Sequence, residues 1–194
     1  MLTTDSIQLP KAGVTHPQDA KTLAVISRLS DHDHRRRALA RGPLPEAHLC
    51  ETQARLGRLA EVIQSHAPAK GPALRAHLEA IAAYGWGWLE TLAGADADFA
   101  TAVVVERGRQ RQLFREHRWP VQCESAVIDP LRKLRLVVEQ LGEVAAAIDL
   151  LEAATASETP QRRDEFQARL IELIATGLAW LESLAAGPHD NRTN

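Results

Sequence analysis

The chain has 194 residues, 45% apolar and 25% charged, with a formal net charge of −2 and a pI near 6.4. That length and apolar share suffice for one ordinary domain or two small ones, and the near-neutral balance carries no electrostatic footprint for DNA or RNA. Two cysteines, Cys50 and Cys123, make no disulfide framework, and no apolar run approaches the roughly 20 residues that span a bilayer. The opening MLTTDSIQLPKAG lacks the charged-then-apolar layout of a secretory leader, so the expectation is a cytoplasmic protein without a membrane partner.

In chain order, residues 1–20 read as a flexible lead-in punctuated by Pro10, Gly13 and Pro17. The rest is dominated by Ala and Leu, and even the strand-like run Val103 to Val105 sits inside a helical pattern, so the fold class is all-α. A first helix is predicted from about Asp19 to Leu39, marked by Leu23, Ile26 and Leu29, and RGPLP at Arg41 to Pro45 breaks it. A second covers Glu46 to about His66, with Leu49, Leu56, Leu59 and Ile63 on one face. A third follows the HAPAKGP turn, with Pro72 suited to its first turn and Gly94 to its end.

The plan then repeats. Asp98 is placed to cap a fourth helix running to about His117, which RWP ends. Asp129-Pro130 starts a fifth, with Leu131, Leu134, Val138, Leu141, Ala145 and Ile148 as its expected seam. After the ATASETP turn, Thr159-Pro160 starts the last helix, and the tail HDNRTN reads as disordered. The third and last helices end in WLETL and WLESL, and the second and fifth share LGRLAEVI and LGEVAAAI. We read these parallels as an internal duplication of two three-helix halves, 21–94 and 95–187, with residues 188–194 as a tail. One such half buries little on its own, so the two are expected to pack face to face.

On the fifth helix Glu139 and Glu143 lie four apart and share a face, and Glu165, Arg169, Glu172 and Thr176 form a polar stripe on the last. If the two helices are antiparallel neighbours, Glu143 and Glu172 face each other. Hard oxygen ligands from facing helices are how bundles hold Mg²⁺ or Mn²⁺. Against this stands the plain reading of a solvated stripe paired with Arg132, Arg135 or Arg169.

The stretches ERGRQRQLFREHRWP, KLRLVVEQLGEVAAAI and RLIELIATGLAWLESL resemble the MazG-like, all-α nucleoside triphosphate pyrophosphohydrolases over about residues 101–185. The resemblance implies hydrolysis of an NTP or dNTP to the monophosphate and pyrophosphate, with Mg²⁺ or Mn²⁺ held by helix-borne carboxylates. The family's layout is an adjacent glutamate pair with a third glutamate three residues on, then a glutamate and an aspartate three apart on a later helix. Carried across, Glu139 matches the first glutamate and Glu143 the third, while Gln140 stands at the second. Arg169 falls at the later glutamate and Glu172 at the aspartate. The implied metal ligands are therefore Glu139, Glu143 and Glu172, with Glu139 as a base. Lys133, Arg132, Gln140, Arg169 and Trp119 are implied to contact the nucleoside triphosphate. A homodimer is expected, because amphipathic bundles often bury a remaining stripe in an isologous pair.

Aligned through the shared LG and WLE, the first half carries Ala54, Arg55, Arg58, His77 and Ala80 at those five places, so any metal site belongs to the second half. The alternative function is a catalytically inactive MazG-derived module that binds a nucleotide or a protein partner. The discriminating feature is Arg169: closure over Glu143 and Glu172 favours the inactive module, an open acid pocket the enzyme. Elsewhere, Trp88 and Trp180 read as core anchors, Cys50 and Cys123 as buried small residues, and DHDHRRR as a solvated helix face.

Overall fold

The computed structural model describes residues 17–30, 32–42, 44–65, 70–93, 98–118 and 123–186. Among them every regular element is an α-helix: α1 (Pro17–Ser30), α2 (Asp33–Arg41), α3 (Pro45–Gln64), α4 (Gly71–Ala93), α5 (Phe99–Arg115), α6 (Pro130–Glu152) and α7 (Thr159–Ala186). No helix among the described residues is long and apolar enough to cross a membrane. Residues 1–16, Gly94, Trp119, Pro120 and the tail from 187 lie outside the described residues, so the expectations placed on them go no further here.

The helix starts obey local chemistry. Asp98 accepts the Thr101 amide at 3.0 Å to open α5, and Asp129 accepts the Leu131 amide at 3.0 Å just before Pro130 opens α6. Between α6 and α7, the Glu158 carboxylate takes the Thr155 amide and hydroxyl at 3.0 and 2.6 Å, holding a six-residue turn. At the end of α5, His117 adopts φ 58°, and the Arg118 amide reaches back to the Leu113 carbonyl at 2.8 Å. That closure is one usually given to glycine.

The predicted first helix is in fact two. α1 ends at Ser30 and α2 begins at Asp33, where the acidic side chain suits the positive helix terminus. Val25, Ile26 and Leu29 of α1 are buried, and so is Ala38 of α2. One straight rod would not bring both sets inward, because α2 must lie along α4. The approach there is close: a Cβ on Gly87 would sit 2.5 Å from the Arg35 carbonyl oxygen and 2.8 Å from the Ala38 methyl. Arg35 then grips Glu90 with two hydrogen bonds of 2.7 and 2.8 Å, so DHDHRRR is not a wholly solvated face.

Four helices form the middle. α3 packs on α4 and α6, α6 on α7, and α4 on α7, while α2 lies outside on α4 and α5 outside on α7. α6 and α7 are antiparallel, since Lys133 near the start of α6 bonds Ser183 near the end of α7 and Glu143 meets Arg169 further along. Residues 81–89 and 173–181 are buried on every side, and one apolar cluster joins Leu56, Leu59, Leu78 and Leu89 with Leu141, Val144, Leu170 and Leu181. Trp88 and Trp180 are fully buried within it, as core anchors should be.

Two packing expectations need correction. The α6 seam holds only in part: Leu134, Leu141 and Ile148 are buried, but Leu131 and Val138 are 39% and 51% exposed. The inward face is completed by Leu136, Val137, Gln140, Val144 and Ala147. A seven-residue repeat drifts by about 20° per repeat on a straight helix, so it does not choose between neighbouring stripes. Cys123 is buried as expected, whereas Cys50 is exposed on the outer side of α3.

Candidate functional site

α5, α6 and α7 bring together a lattice of three carboxylates and two guanidiniums. Arg169 Nη1 donates to Glu143 at 2.9 Å and to Glu172 at 2.7 Å. Arg109 donates through Nη2 to Glu172 at 2.9 Å and to Glu106 at 2.8 Å, and through Nε to Glu106 again. Glu172 is thus clasped from both sides. Burial pushes the Glu106 carboxyl above its usual range, opposed by the hydrogen bond and charge of Arg109. The hydrogen bond to Glu106 raises Arg109, and the one to Glu172 raises Arg169, despite the partial burial of both. Both arginines therefore stay charged.

The remaining sequence-predicted residues are dispersed around this lattice. Glu139 is exposed and makes no ion pair with the described residues, so it does not converge with Glu143 and Glu172. Gln140 is buried, and its Oε1 has no hydrogen-bond partner among the described residues. Arg132 is exposed at the start of α6. Lys133 points inward: it is 2% exposed and donates to the Ser183 hydroxyl at 2.7 Å. Burial lowers its ammonium to about 8, and nearby Cys123 is pushed up by burial to about 11. A lysine so placed supports the core rather than reaching a phosphate from the surface. Trp119 lies outside the described residues.

The residues present do not fit a divalent cation. Glu106, Glu143 and Glu172 each already accept from a guanidinium, Gln140 brings no charge, and Arg169 sets a fixed positive charge between Glu143 and Glu172. Among the described residues no group of three or more His, Cys, Asp or Glu side chains converges to hold a metal ion. On α3, Arg55 bonds Glu51 at 2.6 Å with its guanidinium carbon 4.9 Å from the centre of the Tyr84 ring. Beside Tyr84, His48 stacks on Trp88 at 5.0 Å, its Nε2 held by the Gly42 carbonyl at 2.7 Å.

Glu106 and Arg109 were missed as lattice members. Their signal was present, a Glu and Arg three apart on a helix, but such pairs are common on solvated faces and the sequence does not say which face α7 covers. A second network was missed as well. Arg107, 2% exposed, donates to Glu124 at 2.7 Å and Glu182 at 2.8 Å; Glu182 also accepts from Thr22 at 2.6 Å. Arg111 bonds Asp19 and Glu124 at 3.1 and 3.3 Å, tying α1 to α5.

Compared with known proteins, the chain matches no family, no curated protein and no solved structure.

Proposed function

We propose that this chain is a MazG-like scaffold, duplicated within one polypeptide, that binds a partner and does not hydrolyse a nucleotide. The observation carrying this reading is the Arg169 guanidinium, which bridges Glu143 and Glu172 at 2.9 and 2.7 Å from a position where the family's pattern has a carboxylate. A fixed positive charge there opposes a dication through repulsion and through loss of the ligands it would need. Of the two ligand classes, a protein is favoured over a nucleotide. Glu106, Glu143 and Glu172 against Arg109 and Arg169 leave the lattice net negative, which repels a triphosphate that lacks a cation.

Several matched features support the duplication. The pairing α4 with α7 and α3 with α6 sets like elements against like. Pro45 and Pro130 occupy matching helix starts, and Thr91 and Ser183 bond the carbonyls of Trp88 and Trp180 at 2.7 and 2.6 Å. The ion pair Arg35–Glu90 between α2 and α4 has its counterpart in Arg107–Glu182 between α5 and α7, since Glu90 and Glu182 both follow the shared Trp-Leu.

The second reading is the Mg²⁺- or Mn²⁺-dependent pyrophosphohydrolase, favoured by Glu139, which is exposed and unengaged and so open to a role as base. Pyrophosphate release from a panel of NTPs and dNTPs, with either metal, decides between them. The expected result is no release above a protein-free control. Turnover that disappears in both Glu143→Gln and Glu172→Gln would establish the hydrolase instead.

A further inference from the structure

The face of α6 turned away from the protein carries an ordered pattern that nothing in the described chain covers. Leu131, Arg135, Val138, Gly142 and Asp149 fall within about a quarter-turn of one another at 100° per residue, opposite the buried stripe. All five are exposed. A Cβ built on Gly142 meets no described atom within 4 Å beyond its own helix, so no contact in this chain requires glycine there. In mid-helix that glycine costs about 1 kcal/mol relative to alanine.

The charges on this face are symmetric about the glycine. Arg135 lies seven residues before Gly142 and Asp149 seven after, each about 10 Å away along the axis. Neither makes an ion pair with the described residues. Four residues on either side of Gly142 stand Val138 and Ala146, both apolar and exposed. A helix with this layout is complementary to itself when inverted. Gly57, at the matching place in α3, is also open, but two turns away it has Cys50 and Gln64 and no charge pair.

We infer that α6 is an isologous docking surface for a second copy of this chain, the two α6 helices crossing antiparallel at Gly142 with Arg135 of each copy against Asp149 of the other. The missing Cβ lets the backbones come close, Val138 of each copy covers Ala146 of the other, and the two ion pairs fix direction and register. The parallel arrangement would set Arg135 against Arg135 and Asp149 against Asp149, so charge alone selects the antiparallel one. A single helix pair buries less than the roughly 1,600 Å² of a standard interface, so the expected association is weak, with a dissociation constant of about micromolar order. This inference supplies the partner for the binding reading above. The two fail separately, because assembly and pyrophosphate release are read by different assays.

The test is sedimentation velocity of the full chain over about 1 to 300 μM, spanning the expected affinity. The wild type is expected to pass from monomer to dimer. Arg135→Asp alone and Asp149→Arg alone should each remain monomeric over that range, since each sets like charges opposite at both ends of the crossing. An equimolar mixture of these two variants should dimerise again, because each mismatch meets its complement. Gly142→Leu should also stay monomeric. All the variants lie on an exposed face, so unchanged circular dichroism and melting temperature verify folding in every sample. A wild type that stays monomeric, a dimer indifferent to the single variants, or a mixture that fails to associate would each overturn the proposal.

Discussion

Replacing Gly87 by alanine is the sharpest test of the packing described above. Gly87 lies inside α4 with a helical backbone, so intrinsic propensity favours alanine by about 1 kcal/mol. The tertiary contact opposes it. The new methyl would lie 2.5 Å from the Arg35 carbonyl oxygen, 2.8 Å from the Ala38 methyl and 3.2 Å from the Arg35 carbonyl carbon. Two of these three are backbone atoms of α2, so no side-chain rotation relieves them. α2 has to move by about 1 Å to restore ordinary van der Waals separation. That shift disturbs fully buried Ala38 and the 2.7 Å Arg35–Glu90 pair on the same helix. Overpacking of this kind costs about 1–3 kcal/mol, which exceeds the propensity gain for most of its range. The expected net loss is up to about 2 kcal/mol, or a fall of up to about 8 °C in melting temperature for a chain of this size. Gly177→Ala is the matched control, a buried glycine in mid-α7 whose added methyl meets nothing within 4 Å. It should gain up to about 1 kcal/mol. Urea and thermal unfolding followed by circular dichroism measure both. A Gly87→Ala protein as stable as the wild type, with Gly177→Ala no better, would refute the close approach of α2 to α4.

Three further outcomes follow from the polar interior. Arg107→Met leaves Glu182 without its buried cation and Glu124 with Arg111 as its remaining cation, and chemical denaturation should register a loss of about 3–5 kcal/mol. Lys133 is held at about 8 in the fold against 10.5 unfolded, so the unfolded chain binds the extra proton and stability rises with pH from about 8. Cys123, raised from 9.0 to about 11, works in the opposite sense once pH passes 9.0, so the clean window is pH 8 to 9. Lys133→Met should flatten that rise and stabilise the protein at pH 7, as read from melting temperature across pH. Finally, Arg169→Glu combined with Gln140→Glu completes five carboxylates in the family's pattern. Calorimetry should detect Mn²⁺ binding in this variant and none in the wild type, and Mn²⁺ should raise only the variant's melting temperature. Equal binding by both proteins would show that Arg169 does not close the acids to a cation.

How far the sequence reached differs from element to element. Asp98, Asp129-Pro130 and Thr159-Pro160 fixed three helix starts, because capping chemistry is local and needs only the residues that make it. Trp88 and Trp180 were recognisable as anchors from their matching places in WLETL and WLESL. The antiparallel meeting of Glu143 with Glu172 also followed from a short turn between two long helices. The break between Ser30 and Asp33 did not, since no proline or glycine marks it and its reason is the fit of Ala38 against Gly87 on a distant helix.

The lattice divides along the same line. The sequence by itself determined an all-α chain, and it placed an arginine at residue 169 and a glutamine at residue 140 among the helix-borne acids. Only the tertiary structure decided what those residues do. It brought Arg109 and Glu106 across from α5, turned Lys133 and Gln140 into the core, and left Glu139, Arg135 and Asp149 facing outward. Helical periodicity tells which residues share a face. Which face is covered, and by which charge, depends on how neighbouring helices pack, and that comes from contacts between residues far apart in the chain.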